Sequence, residues 1–172
     1  MENKTERRQH LVLVPCPYQG HINPMLQLGK AFHSRGFSIT IAHTVFNAPN
    51  PRNHPDFSFI PLPERLPDYN CTSTDLVTTM LAVNENCREI FRTSLERVIQ
   101  EGESQGKEMG CVISDELMFF AEDVAADLKL PSVILRTTSA ATSFARSSIV
   151  KFKEQGRLLP QGNVSFISLG SV

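Results

Sequence analysis

The chain predicts an α/β protein, a doubly wound and mostly parallel sheet of Rossmann-like type. Three observations predict it. Short apolar runs recur at residues 10–15, 37–42, 111–114 and 132–135. Between them, apolar residues return at helical spacing. Glycine and proline punctuate the joins. Strand alternating with helix is the pattern of a parallel sheet covered on both faces.

The first run, HLVLVP at 10–15, is apolar on both faces and β-branched at Val12 and Val14, so it reads as a buried parallel strand. A loop is expected at 16–21. Asn23-Pro24 then opens a helix, since proline suits a first turn. Ile22, Met25, Leu26, Gly29 and Phe32 form its stripe. Gly29 on that stripe lets the helix approach a sheet closely, and Gly36 stands where a C′ glycine belongs. FSITIA at 37–42 is the second strand, which completes a βαβ unit. Residues 47–73 are rich in Pro and Asn and read as loop, with a short strand at 57–61.

Residues 74–104 read as a helix with Cys87, Phe91, Leu95 and Val98 on one stripe. A polar loop leads to CVIS at 111–114, a buried strand ending at Asp115. Leu117, Phe120, Ala121, Val124, Ala125 and Leu128 make the next amphipathic stripe. Pro131 stops it, 132–135 is a strand, and a Thr/Ser/Ala-rich turn leads into a helix to about residue 155. VSFISL at 164–169 reads as one more strand with no helix after it, so the chain is expected to stop inside a βα unit.

The chain has 172 residues, about one domain at roughly 150 residues each. Seventeen basic against eighteen acidic residues leave a formal charge of −1, so no global field draws it to nucleic acid or an anionic membrane. No apolar run reaches the roughly 18 residues of a membrane helix. The polar first nine residues lack a signal-peptide core. The expectation is a cytoplasmic protein without a membrane span. Cys16, Cys71, Cys87 and Cys111 form no C-x-x-C pair. Free thiols are expected, not a metal or redox centre.

In open α/β sheets a ligand lies beyond the carboxyl ends of the strands. The polar residues there are Gln19, Gly20, His21 and Asn23, then Asp115, then Thr137, Thr138 and Ser139. A helix N-terminus disfavours a cation, so an imidazole at His21 is suited to accept a proton. Asp115 is suited to hold its other ring nitrogen. Against this stand a plain loop histidine and an aspartate that merely caps the next helix. The hydroxyls at 137–139 suit sugar or phosphate oxygens, or an ordinary N-cap. Met80, Leu117 and Met118 line an apolar pocket or belong to the core. Neither G-x-G-x-x-G nor a Walker A motif occurs, so a nucleotide-dependent oxidoreductase lacks its fingerprint. His10, His33, His43 and His54 show no metal-ligand spacing and read as structural or exposed.

The run Pro15-Cys16-Pro17-Tyr18-Gln19-Gly20-His21-Ile22-Asn23-Pro24-Met25-Leu26-Gln27-Leu28 resembles the N-terminal motif of plant UDP-sugar-dependent glycosyltransferases. Gly36-Phe37-Ser38-Ile39-Thr40, Cys111-Val112-Ile113-Ser114-Asp115 and the stretch 135–144 resemble later landmarks of that family. The nearest likeness is to the subgroup acting on terpenoids and cytokinins. The resemblance implies the N-terminal lobe of a two-lobed GT-B fold and inverting transfer of a sugar, glucose being the commonest, from a UDP-sugar to a hydroxyl. It makes His21 the general base and Asp115 the residue that orients it. Gly20 and Thr137 match donor-binding positions; Met80, Leu117, Met118 and Thr142 match acceptor-lining ones. No metal and no cofactor are implied, because the UDP-sugar is a co-substrate.

The family's donor lobe carries a signature box rich in Trp, His, Gly, Asn, Ser and Glu. This chain has no Trp and no such box. The expected organisation is a flexible N-terminus at 1–8 and an acceptor-binding lobe at 9–160. Residues 161–172 are then a remnant of the first strand of the second lobe. The expected partners are a small lipophilic acceptor bearing a hydroxyl, and a UDP-sugar only where the second lobe is supplied. On this reading the chain is a truncated acceptor half, inactive alone. The competing reading is a non-catalytic product that binds a small metabolite or pairs with a full-length relative.

Overall fold

A computed structural model describes residues 9–45, 47–63 and 76–157. The chain divides into two compact units, Met1–Thr137 and Thr138–Val172. In the first, β1 (Gln9–Val14), α1 (Gln19–His33), β2 (Ser38–Thr44), β3 (Ser58–Leu62), α2 (Leu76–Ser104), β4 (Glu108–Asp115), α3 (Phe119–Asp127) and β5 (Ser132–Leu135) follow in chain order. A 3-10 turn at Pro51–Asn53 interrupts the loop before β3. The second unit contributes α4 (Ala140–Glu154).

The five strands form one parallel sheet in the order β3-β2-β1-β4-β5. This is the doubly wound arrangement the alternation predicts. Strand side chains alternate between two cores. Leu11, Leu13, Ile39, Ile41 and Ile113 meet Ile22, Met25 and Leu26 of α1 on one face. Val12, Val14, Ala42, Ile60, Leu62 and Val112 meet Phe91, Leu95, Phe120 and Val124 of α2 and α3 on the other. Phe91 and Phe120 cross edge to face, ring centroids 5.5 Å apart, with both side chains shut off from solvent. Gly29 is buried; a Cβ there would stand 3.2 Å from the Phe57 ring and 3.3 Å from Leu13. The close approach read from the stripe is real.

Two boundaries differ from expectation by three residues or more. Helix α1 starts at Gln19, so Gln19, Gly20 and His21 form its first turn and Pro24 lies inside the helix. Pro24 has no N–H to offer the carbonyl of Gly20 one turn before it, and because Gly20 is an exposed residue the loss falls at the surface. Strand β4 starts at Glu108, not at 111. Pairing with β1 steps from His10↔Met109 to Leu11↔Cys111, so Gly110 forms a bulge that carries the strand across a residue read as loop. The expected strand at 164–169, and with it segments 1–8 and 161–172, lies outside the described residues. Among those that are described, no helix is long and apolar enough to cross a membrane.

Candidate active site

The chain runs β1 to β2 to β3 toward one edge, then returns to β4 on the other side of β1. The connections leaving β1 and β4 therefore diverge, and a crevice opens beyond the carboxyl ends of these two strands. The turn after β1 carries His21 and the last residue of β4 is Asp115. The two residues are 94 positions apart, yet His21 Nδ1 lies 2.8 Å from Asp115 Oδ2. Asp115 is 1% exposed and the His21 side chain 21%. A carboxylate only accepts, so the ring proton sits on Nδ1 and Nε2 is left as the basic nitrogen.

The other oxygen of Asp115 is also used. Leu117 N donates to Asp115 Oδ1 at 3.0 Å. The competing structural role and the site role thus coexist, one on each oxygen. Thr137 Oγ1, just past β5, lies 3.0 Å from His21 Nδ1. Thr137 therefore joins the imidazole. Gly20 sits beside His21 in the first turn of α1, with open space where a Cβ would be. No side-chain cap hydrogen bond closes that turn; His21 N and Ile22 N both donate to Tyr18 O at 2.8 Å.

The apolar candidates divide. Met80 is 6% exposed and Met118 is fully enclosed, both in the α2–α3 core. Leu117 is partly buried against the same core. Thr142 belongs to the second unit, in the first turn of α4, where its backbone N donates to Ser139 Oγ at 3.2 Å. Ser139 is an N-cap, as one of the two readings of 137–139 held.

Two residues that sequence reasoning did not single out shape the site. Asn84 of α2 is 4% exposed and fully bonded: Nδ2 donates to Met80 O and Leu117 O, each at 2.8 Å, and Oδ1 accepts from Phe120 N at 3.0 Å. It caps α3 from another helix and pins the turn that follows Asp115. Cys16 is 0% exposed, and its Sγ lies 3.5 Å from Met80 Sδ. Burial pushes its thiol up to about 12, helped by the nearby Asp115 charge and opposed by a hydrogen bond with the Tyr18 backbone. Neither signal exists locally: Asn84 looks like a mid-helix polar residue, and Cys16 like an isolated thiol.

No family model matches the chain. Over 151 residues it is 44% identical to the UDP-glycosyltransferase 76E1 of Solanum lycopersicum, a match spanning 88% of this chain and 31% of that protein. It is 42% identical over 151 residues to the flavonol 3-O-glucosyltransferase UGT76E12 of Arabidopsis thaliana, spanning 87% of this chain and 32% of that one. In fold it resembles Phytolacca americana UGT2, solved with UDP-2fluoro-glucose and pterostilbene, at a TM-score of 0.71 and 22% identity, over 90% of this chain and 36% of that one. The chain thus spans about a third of the length of the curated relatives it matches. Those homologues are plant UDP-glycosyltransferases, and the fold is that of the N-terminal lobe of GT-B enzymes.

Proposed function

We propose that this chain is the acceptor-binding and proton-accepting part of a plant UDP-glycosyltransferase, one that transfers a sugar, glucose in the first instance, to a hydroxyl of a small lipophilic metabolite. The observation that carries the reading is the 2.8 Å His21–Asp115 pair at the switch point of the sheet, in a chain whose relatives are UDP-glycosyltransferases. His21 Nε2 takes the proton of the acceptor hydroxyl as the oxygen attacks the anomeric carbon. The bond from that carbon to the diphosphate breaks, UDP leaves with the electron pair, and configuration inverts through an oxocarbenium-like transition state. Asp115 holds the imidazole in the productive tautomer and stabilises the imidazolium that forms.

Residues 9–160 serve as the acceptor lobe on this reading, with Met80, Leu117, Met118 and Thr142 as the acceptor-lining candidates and Gly20 and Thr137 as the donor-binding ones. A terpenoid or cytokinin alcohol is the acceptor class the sequence favours, and the cytoplasm is the compartment where UDP-sugars are met. The grip on uridine and diphosphate has no counterpart among the described residues. Holding two reactants in line is worth roughly 7–11 kcal/mol of barrier. The chain alone is therefore expected to transfer sugar poorly.

The test joins residues 1–160 to the donor-binding part of a curated relative and offers UDP-glucose with phenols and terpenoid alcohols. Glucoside is followed by mass spectrometry. His21→Ala should lower transfer by about 10²–10⁴-fold, the usual contribution of a positioned base. Asp115→Asn should lower it as well. Undiminished turnover in His21→Ala removes the imidazole from the mechanism. Glucoside made by the 172-residue chain alone, scaling with protein, overturns the need for a second lobe.

A further inference from the structure

Behind the His21–Asp115 pair stands a third group that the proposed mechanism does not use. Cys16 Sγ, a His21 ring nitrogen and an Asp115 carboxylate oxygen all lie within 4.8 Å of one another. The three come from two strand ends that the sheet sets side by side: Cys16 two residues past β1, His21 in the first turn of α1, Asp115 closing β4. Thiolate, imidazole and carboxylate are the donor set of tetrahedral zinc. Bonds of about 2.3 Å to sulfur and about 2.0 Å to nitrogen or oxygen separate tetrahedral ligand atoms by roughly 3.3–3.5 Å. His21 Nδ1 and Asp115 Oδ2, 2.8 Å apart, would open by about 0.5 Å, and Cys16 Sγ would close by about 1.3 Å at most, shifts within reach of side-chain rotation.

We propose that Cys16 Sγ, His21 Nδ1 and Asp115 Oδ2 form a binding site for a thiophilic divalent cation of the zinc type. Charge supports it. Cys16 and Asp115 are 0% and 1% exposed, and a buried cation is tolerated only where its charge is cancelled. One thiolate, one carboxylate and one neutral imidazole cancel a charge of +2. Asp115 Oδ1 keeps its bond from Leu117 N, so the turn need not open. The 21% exposed His21 side chain marks the way in and leaves the fourth position to water.

Binding balances as follows. The Cys16 S–H bond breaks and its proton goes to solvent, while sulfur bonds to the cation. The His21 ring stays neutral: Nδ1 gives its proton to solvent and Nε2 takes one up. One proton is released per cation, so affinity rises about tenfold per pH unit while the thiol is protonated in the free protein. A consequence rests on the function proposed above: with Nε2 protonated, His21 no longer accepts the acceptor's proton. Such a cation would inhibit transfer at the base and not at the sugar.

The test uses the reduced, chelator-treated 172-residue chain and needs no transfer activity. Cobalt(II) is the probe, because thiolate ligation gives a charge-transfer band in the near ultraviolet and tetrahedral geometry gives strong visible bands. The expected result is both sets of bands at one equivalent, displaced by Zn²⁺, with affinity rising about tenfold from pH 7 to pH 8. Cys16→Ser should abolish the charge-transfer band, and Asp115→Asn should weaken binding at least tenfold. Cys71→Ser and Cys111→Ser should leave the spectrum unchanged. X-ray absorption of the zinc-loaded wild-type chain should show one sulfur at about 2.3 Å, a readout that stands even if Cys16→Ser misfolds. No band at millimolar cobalt, zinc without a sulfur ligand, or a band that survives Cys16→Ser overturns the site. Spectroscopic binding combined with unimpaired transfer by the joined enzyme would instead leave the site standing and overturn His21 as base.

Discussion

Asn84 does for α3 what the start of α3 cannot do for itself. Met118 at the N-cap makes no side-chain bond, so the Phe120 N–H is satisfied from α2. Asn84→Ala leaves that donor and the Leu117 carbonyl unpaired in the interior, at a cost of about 2–3 kcal/mol. Chemical denaturation should show the loss as a lower midpoint; a shift under 0.5 kcal/mol or so, the range of ordinary surface changes, would remove the staple. Cys16 makes a separate prediction. Its thiol is held near 12, about four units above pH 8, so roughly one molecule in 10⁴ carries the thiolate there. Native Cys16 should resist iodoacetamide at pH 8 and react within minutes once urea unfolds the chain. Peptide mapping by mass spectrometry reads both states, and rapid labelling of the native protein would contradict the burial.

The helices share one way of ending. Gly36 N donates to His33 O and Phe37 N to Phe32 O, the paired bonds of a Schellman turn, with the Phe32 and Phe37 rings packed 5.4 Å apart across it. The same two bonds close α2 at Gly106 and α4 at Gly156. In α3 the position falls to Lys129, at φ 56°, with Lys129 N to Ala126 O and Leu130 N to Ala125 O. A side chain in left-handed backbone costs about 1–2 kcal/mol. Lys129→Gly should raise stability, by about 1 kcal/mol after the extra chain entropy of glycine is subtracted. A melting temperature unchanged or lowered by that substitution would mean the turn is held by something other than its backbone. Gly29 tests the opposite sign. Gly29→Val forces atoms into the gap against Phe57 and Leu13, an overpacking worth about 1–3 kcal/mol of destabilisation.

Over the first unit as a whole, one sheet separates two cores, and the larger core depends on aromatic packing between α2 and α3. Phe91→Ala should cost about 3–5 kcal/mol, a large share of the 5–15 kcal/mol that holds a typical domain. Because α2 and α3 pack on the same sheet whose other face carries α1, the loss should appear as one cooperative transition, with far-ultraviolet circular dichroism and the near-ultraviolet aromatic signal falling together. Separate transitions would mean that the two cores melt independently.

The strand–helix alternation and the parallel sheet were legible in the residues because they rest on local signals, and His21 and Asp115 were legible as polar residues at strand ends that such a sheet gathers at one edge. Apolar runs make strands, 3.6-residue stripes make helices, and polar residues at strand ends mark the crevice. The start of α1 was not legible, since Pro24 is a first-turn signal that here falls inside the helix, one turn after the exposed Gly20. Gly110 likewise reads as a loop glycine, until pairing with β1 shows it to be a bulge. Asn84 and Cys16 lie furthest from sequence reading. Asn84 caps a helix 36 positions away, and Cys16 meets its cluster across a 94-residue return of the chain from His21 to Asp115. Contacts of that separation exist only after parallel strands pair, because the order β3-β2-β1-β4-β5 is what brings the ends of β1 and β4 together. Periodicity along the chain carries the pattern of burial; which buried groups meet is a property of the folded sheet.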